Sequence, residues 1–118
     1  MTKASRILLV DDDEAFRYAA EKMLTDAGYE VTSAPDYRHA LDAINGSEPL
    51  DLLLTDVVMP NRVNGFALAR MARMRRTNLP VLYMTAFDVP TQEAMGKVLR
   101  KPLASAHLLS EVKEALAA

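Results

Sequence analysis

The chain has 118 residues, with 14 Lys and Arg against 16 Asp and Glu, half of its residues apolar, and neither Cys nor Trp. That composition describes one domain able to bury a core without staples, and it excludes zinc fingers, disulfide scaffolds and thiol nucleophiles. A net charge of −2 supplies no basic field for a nucleic-acid backbone, apolar runs such as Ile7–Val10 fall far short of the about 20 residues that cross a bilayer, and Met1–Arg6 is too short and polar for a secretory leader; the expectation is a cytoplasmic protein with no nucleic-acid or membrane partner.

Ile7-Leu8-Leu9-Val10 predicts a first strand, and Phe16, Ala19, Ala20, Met23, Leu24 and Ala27 recur at three and four residues, predicting a helix that Gly28 ends. Tyr29–Ala34 reads as a second strand. Pro35-Asp36 opens a helix with its apolar face at Tyr37, Ala40, Leu41 and Ile44, closed by Asn45-Gly46. Leu50–Thr55 is a third strand, Asn64 caps a helix from Gly65 to Arg76, and Val81–Met84 is a fourth strand after Pro80. Val98–Arg100 makes a fifth, and Ser105–Leu116 a last helix with Leu108, Leu109, Val112, Ala115 and Leu116 on one face.

Strands that alternate with helices and are apolar at nearly every position indicate a parallel sheet covered on both faces, a doubly wound five-stranded α/β fold. The stretch Ala86–Lys97 is short for the fourth crossover, since such a connection with its helix needs at least about 10–12 residues. Phe87–Pro90 spends four of them on non-helical chain, leaving Thr91–Met95 as the helical candidate. The fourth helix is therefore short or missing, and residues 1–118 form one domain.

In open α/β sheets ligands bind beyond the carboxyl ends of the strands. There this sequence places Asp11-Asp12-Asp13 after strand one, Thr55-Asp56 at strand three, Thr85 at strand four and Lys101-Pro102 after strand five. Two carboxylates about 4 Å apart repel by about 4 kcal/mol at an effective dielectric of about 20, so a cation belongs between them. An oxygen-rich site without imidazole or thiol suits Mg²⁺ or Mn²⁺.

Leu-Leu-Val-Asp11-Asp12-Asp13, Thr-Asp56-Val-Val-Met-Pro60, Thr85-Ala86 and Lys101-Pro102 together resemble the receiver domain of two-component response regulators across essentially the whole chain. The resemblance implies a flavodoxin-like strand order, 2-1-3-4-5. It implies phosphoryl transfer from a kinase histidine, or from a histidine phosphotransfer protein, to Asp56. Asp12, Asp56 and the backbone carbonyl of Val58 would ligate the metal directly and Asp11 through bound water. Thr85 would hydrogen-bond a phosphoryl oxygen and Lys101 would pair with the phosphoryl or carboxylate charge; in the family a cis bond before the proline aims the lysine, and the sequence leaves the isomer of Lys101-Pro102 open. Helix one is the docking face that the resemblance implies, here the stripe Ala15, Tyr18 and Lys22. The first expectation is thus a stand-alone receiver, monomeric or weakly dimeric, whose output is protein contact or onward transfer, with a receiver cut from a hybrid kinase as the alternative that the sequence does not separate from it; it is a switch that acts on its own phosphorylation rather than an enzyme.

Three departures from the family pattern are visible. Val98 stands where receivers usually carry an aromatic ring, the loop Pro60–Gly65 is one residue longer than the commonest version, and the shortened fourth crossover removes much of the usual output surface. The expectation is that Ala86–Lys97 itself moves on phosphorylation, with Phe87 or Tyr83 in place of the missing ring. Val58 and Phe87 hold the positions two past Asp56 and two past Thr85, which in the family flank the attacking water. Neither side chain orients water, which predicts slow loss of the phosphoryl group.

The remaining polar residues take simpler readings. Asp13 is explained as a first-turn carboxylate at a helix amino end, and His39 and His107 as surface side chains with no carboxylate at ligand spacing. Arg70, Arg73, Arg75 and Arg76 read as a solvated face, and the seven Met mostly as core filling. A competing function is a small phosphatase with an Asp-x-Asp nucleophile at Asp11 and Asp13. A nucleotide or flavin module lacks its glycine-rich phosphate loop.

Overall fold

The computed structural model describes residues 4–59 and 64–117. Five parallel strands, β1 (Arg6–Val10), β2 (Glu30–Ala34), β3 (Leu52–Asp56), β4 (Val81–Thr85) and β5 (Val98–Arg100), lie in the order β2-β1-β3-β4-β5. Four helices accompany them: α1 (Glu14–Asp26), α2 (Tyr37–Asn45), α3 (Gly65–Arg75) and α4 (Ser105–Ala117). The expected doubly wound α/β architecture is therefore present, with strand and helix bounds within two residues of those read from the sequence.

Alternation along the strands divides the core into two layers. Leu8, Val10, Leu53, Val81 and Tyr83 pack with Ala40 and Ile44 of α2 and Phe66, Leu68 and Ala69 of α3. Ile7, Leu9, Leu54, Leu82 and Met84 pack on the opposite face with Ala20 and Leu24 of α1 and Leu108 and Val112 of α4. All five residues of β3 and all five of β4 are buried, as a parallel sheet with two covered faces requires. Asp13, Asp36 and Asn64 cap the amino ends of α1, α2 and α3 through side-chain oxygens that accept the N–H groups of Phe16, His39 and Ala67.

Between β4 and β5 the described chain forms no helix, and the expected Thr91–Met95 segment is a single turn closed by the Ala94 N–H on the Thr91 carbonyl at 3.1 Å. The physical reason is that the segment is pinned to β4 before it can wind. The Met95 N–H donates to the Tyr83 hydroxyl at 3.2 Å, and the Lys97 carbonyl accepts the Tyr83 N–H at 2.9 Å. Gly96 runs so close to β4 that a Cβ there would overlap the Val81 carbonyl oxygen. Tyr83 sits opposite Val98 in the sheet register, fully buried, with its ring edge-on to Phe66 at 4.9 Å between centroids. The Tyr83 ring thus lies on the strand next to Val98.

Arg70 and Arg75 are exposed, as expected of a solvated face, whereas Arg73 and Arg76 are partly buried. Arg73 donates from Nε to the Leu79 carbonyl at 2.9 Å, and Arg76 donates to the carbonyls of Ile44, Ala43 and Gly46 at the end of α2. Arg70 pairs with Glu93. These side chains tie α3 to α2 and to the β4–β5 segment because a guanidinium can satisfy several orphan carbonyls at once. Both histidines also have carboxylate partners: His39 Nδ1 lies 2.7 Å from Asp36 and His107 Nε2 lies 3.3 Å from Glu111. Both rings are nevertheless exposed. Met74 is an exception to core filling, being 81% exposed.

Candidate functional site

The parallel sheet brings the ends of β1, β3, β4 and β5 to one rim, and the residues singled out there converge. Asp11 follows β1 and is completely buried. Its Oδ1 accepts the Asp13 N–H at 2.9 Å and its Oδ2 accepts from Lys101 Nζ at 2.6 Å. Asp56 closes β3 and is 7% exposed. The Val58 N–H points to its Oδ1 at 3.3 Å, and Lys101 Nζ lies 3.5 Å from its Oδ2. Asp12 is exposed, yet it offers a carboxylate oxygen within 4.8 Å of oxygens of Asp11 and Asp56.

Thr85 and Lys101 are coupled through the backbone, the Lys101 N–H donating to the Thr85 carbonyl at 2.8 Å. The Lys101-Pro102 peptide is cis. The buried Thr85 hydroxyl oxygen accepts the Phe87 N–H at 3.1 Å, which leaves its own hydrogen to donate elsewhere. Val58 and Phe87, 44% and 59% exposed, stand on the same rim. The loop feature read at Pro60–Gly65 falls largely on 60–63, outside the described residues. Its last residue, Gly65, starts α3 and donates its N–H to the Val57 carbonyl at 2.7 Å.

The electrostatics are those of an acidic site with too few positive charges. Three aspartates face one lysine whose side chain is 14% exposed. Burial, and next the charge of Asp11, push the Asp56 carboxyl up to about 6, against the opposing pull of Lys101 and the Val58 N–H. A buried carboxylate beside another is the local condition that a hard divalent cation relieves, and the donor set of the cluster is oxygen alone. The residues present therefore fit Mg²⁺ or Mn²⁺, with Asp11, Asp12 and Asp56 as the side chains able to hold it. Asp13 is not in that cluster, because its carboxylate accepts the Phe16 N–H at 3.0 Å as the cap of α1. This placement removes the second acid of the competing Asp11 and Asp13 phosphatase reading.

Two contacts were not legible as site features in the sequence. Phe16 lies with its ring 4.1 Å from Lys101 Nζ, and Arg17 donates to the Asp11 carbonyl at 2.8 Å. Phe16 counted as one more apolar residue of a helix face. The usable signal was its place in the first turn, where helical side chains lean back toward the amino end and so over the rim.

A five-stranded sheet in this order, with aspartates, a threonine and a lysine on its carboxyl rim, is the layout of a two-component signalling domain. The chain belongs to the response regulator receiver domain family, whose model matches residues 7–113. It is similar to response regulator MprA of Mycolicibacterium vanbaalenii, 38% identical over 117 residues that cover 94% of this chain and 50% of that protein. The chain thus spans about half the length of the curated relatives it matches. Among solved structures it is similar to chemotaxis protein CheY4 of Vibrio cholerae, with a TM-score of 0.88 at 30% identity over 96% of this chain and 99% of that one. The receiver domain of hybrid histidine kinase CckA is similar as well, with a TM-score of 0.84 at 33% identity over 95% and 99% of the two chains. Among the described residues no helix is long and apolar enough to cross a membrane.

Proposed function

We propose that Asp56 is the phosphoacceptor of this receiver domain and that residues 1–118 work as one phosphorylated switch in the cytoplasm. The observation that carries the reading is the convergence of Asp11, Asp12, Asp56 and Lys101, drawn from three separate strand ends, on a single rim. An Asp56 oxygen attacks phosphorus, the P–O bond to Asp56 forms, and the P–N bond to the donor imidazole breaks. Lys101 offsets the charge that accumulates on the acceptor and phosphoryl oxygens, and Thr85 donates its free hydroxyl hydrogen to one of them. Bound Mg²⁺, held by Asp12, Asp56 and the Val58 carbonyl with Asp11 behind a water, would neutralise the remaining negative charge. The donor is a histidine kinase or histidine phosphotransfer protein docking on α1, where Ala15, Tyr18 and Lys22 are exposed and Tyr18 is 71% so.

Incubation with Mg²⁺ and a small phosphodonor should add one phosphoryl mass to the intact protein. Peptide mapping should place it on Asp56, and Asp56→Asn should abolish it. An adduct on Asp11 instead would support a phosphatase-like nucleophile. The adduct should be long-lived, with loss taking minutes or longer, because Val58 and Phe87 offer no group to orient water. Val58→Asn or Phe87→Glu should shorten its lifetime. Rapid loss that neither variant accelerates would contradict this reading.

Signalling onward follows from the Thr85 hydroxyl. Turning toward a phosphoryl oxygen, it gives up the Phe87 N–H and frees the start of the 86–97 segment, which shifts a two-state equilibrium by that difference in contacts. Tyr83 holds the other end through Met95. Hydrogen exchange in 86–97 should rise with beryllofluoride bound, and equal protection in both states would argue against movement there.

A further inference from the structure

Two carboxylates and one aromatic ring meet the Lys101 ammonium group among the described residues: the Asp11 carboxylate at 2.6 Å, the Asp56 carboxylate at 3.5 Å and the Phe16 ring at 4.1 Å from its centroid. The first two belong to the acidic cluster and change character during the reaction. A divalent cation competes for both carboxylates, and phosphorylation converts the second into an acyl phosphate. The ring has no lone pair for either event to engage. It attracts the ammonium through its quadrupole and leaves the N–H groups free for oxygen acceptors.

We propose that Phe16 is a positioning residue for Lys101, holding the ammonium at the rim while its carboxylate partners are taken by metal and phosphoryl group. The role rests on the receiver reading above. The ring is itself fixed: the Asp13 side chain accepts the Phe16 N–H at 3.0 Å, and the side chain packs against the core layer beneath α1. Asp13 therefore contributes to the site indirectly, by setting the first turn from which Phe16 reaches the lysine.

Phe16→Leu keeps an apolar side chain and removes the π face, whereas Phe16→Tyr keeps the ring. The direct readout is the ring-current shift of the Lys101 ε-methylene protons in metal-free protein, assigned against Lys101→Arg. The functional readout is the rate of Asp56 phosphorylation by a small phosphodonor with Mg²⁺. Phe16→Leu should lose the shift and phosphorylate about three- to tenfold more slowly, with little change in unfolding midpoint, and Phe16→Tyr should retain both shift and rate. Absence of the shift in the wild type, a wild-type rate in Phe16→Leu, or a Phe16→Tyr protein as slow as Phe16→Leu would each overturn the role. A wild type that shows the shift yet takes no phosphoryl group refutes Asp56 as the phosphoacceptor, and the role in phosphorylation with it; the shift then locates the failure in that reading rather than in the contact.

Discussion

Asp56→Asn should abolish the phosphoryl adduct and, in metal-free buffer, make the protein more stable than the wild type. An aspartate has an ordinary value of 3.8, and burial beside Asp11 pushes Asp56 up to about 6 in the folded protein. Below 3.8 both the folded and unfolded forms hold the proton and no penalty exists. Between 3.8 and about 6 the unfolded chain has lost its proton while the folded one keeps it, so stability falls as pH rises through that window. Above it the penalty is constant, on the order of 2–3 kcal/mol. The value of about 6 already includes the attraction of Lys101, so the amide, which removes the charge, should recover that penalty at neutral pH, a gain of about 2–3 kcal/mol. Urea unfolding of both proteins in chelator tests this. The difference should vanish near pH 4 and narrow when Mg²⁺ is restored to the wild type. Equal midpoints at neutral pH in chelator would show that the folded site does not strain the Asp56 charge.

Gly65→Ala should cost about 3 kcal/mol and slow phosphorylation as well. The first residue of α3 passes so close to the end of β3 that an added Cβ would overlap the Asp56 carbonyl oxygen and press on the Val57 Cα. Both obstacles are backbone, which cannot swing aside as a flexible side chain can. Relief requires α3 to withdraw or the acceptor strand to shift, and the second displaces Asp56 from Lys101. Gly96→Ala should be comparably destabilising against β4, but its clash lies at Val81, the opposite end of that strand from the rim. Gly46→Ala is the control, since its Cβ would come no nearer than 3.4 Å to any of the atoms around it. Denaturant midpoints for the three variants, read beside phosphorylation rates, separate general destabilisation from damage at the acceptor. A Gly65→Ala protein with the stability of Gly46→Ala would refute the close approach.

The layered architecture and the acids, threonine and lysine of the rim were legible in the order of the amino acids. Continuous apolar runs such as Leu52–Leu54 specify strands buried on both faces, and residues directly after such strands must emerge at the carboxyl edge. Asp13, Asp36 and Asn64 announced their helices because capping depends on only a few neighbouring residues. Contacts between distant segments were not legible there and emerged only in the folded chain. Phe16 under Lys101 spans α1 and the end of β5, and Tyr83 bonded to Met95 joins β4 to the segment that replaces a helix. Arg76 on the carbonyls of Ile44 and Gly46 likewise crosses from α3 to α2. Periodicity records which side of an element faces the core, but not which partner it meets there. Pairing of this kind depends on how the elements stack, so an apolar Phe16 and a surface-type Arg76 carried the same local pattern as residues with no such role.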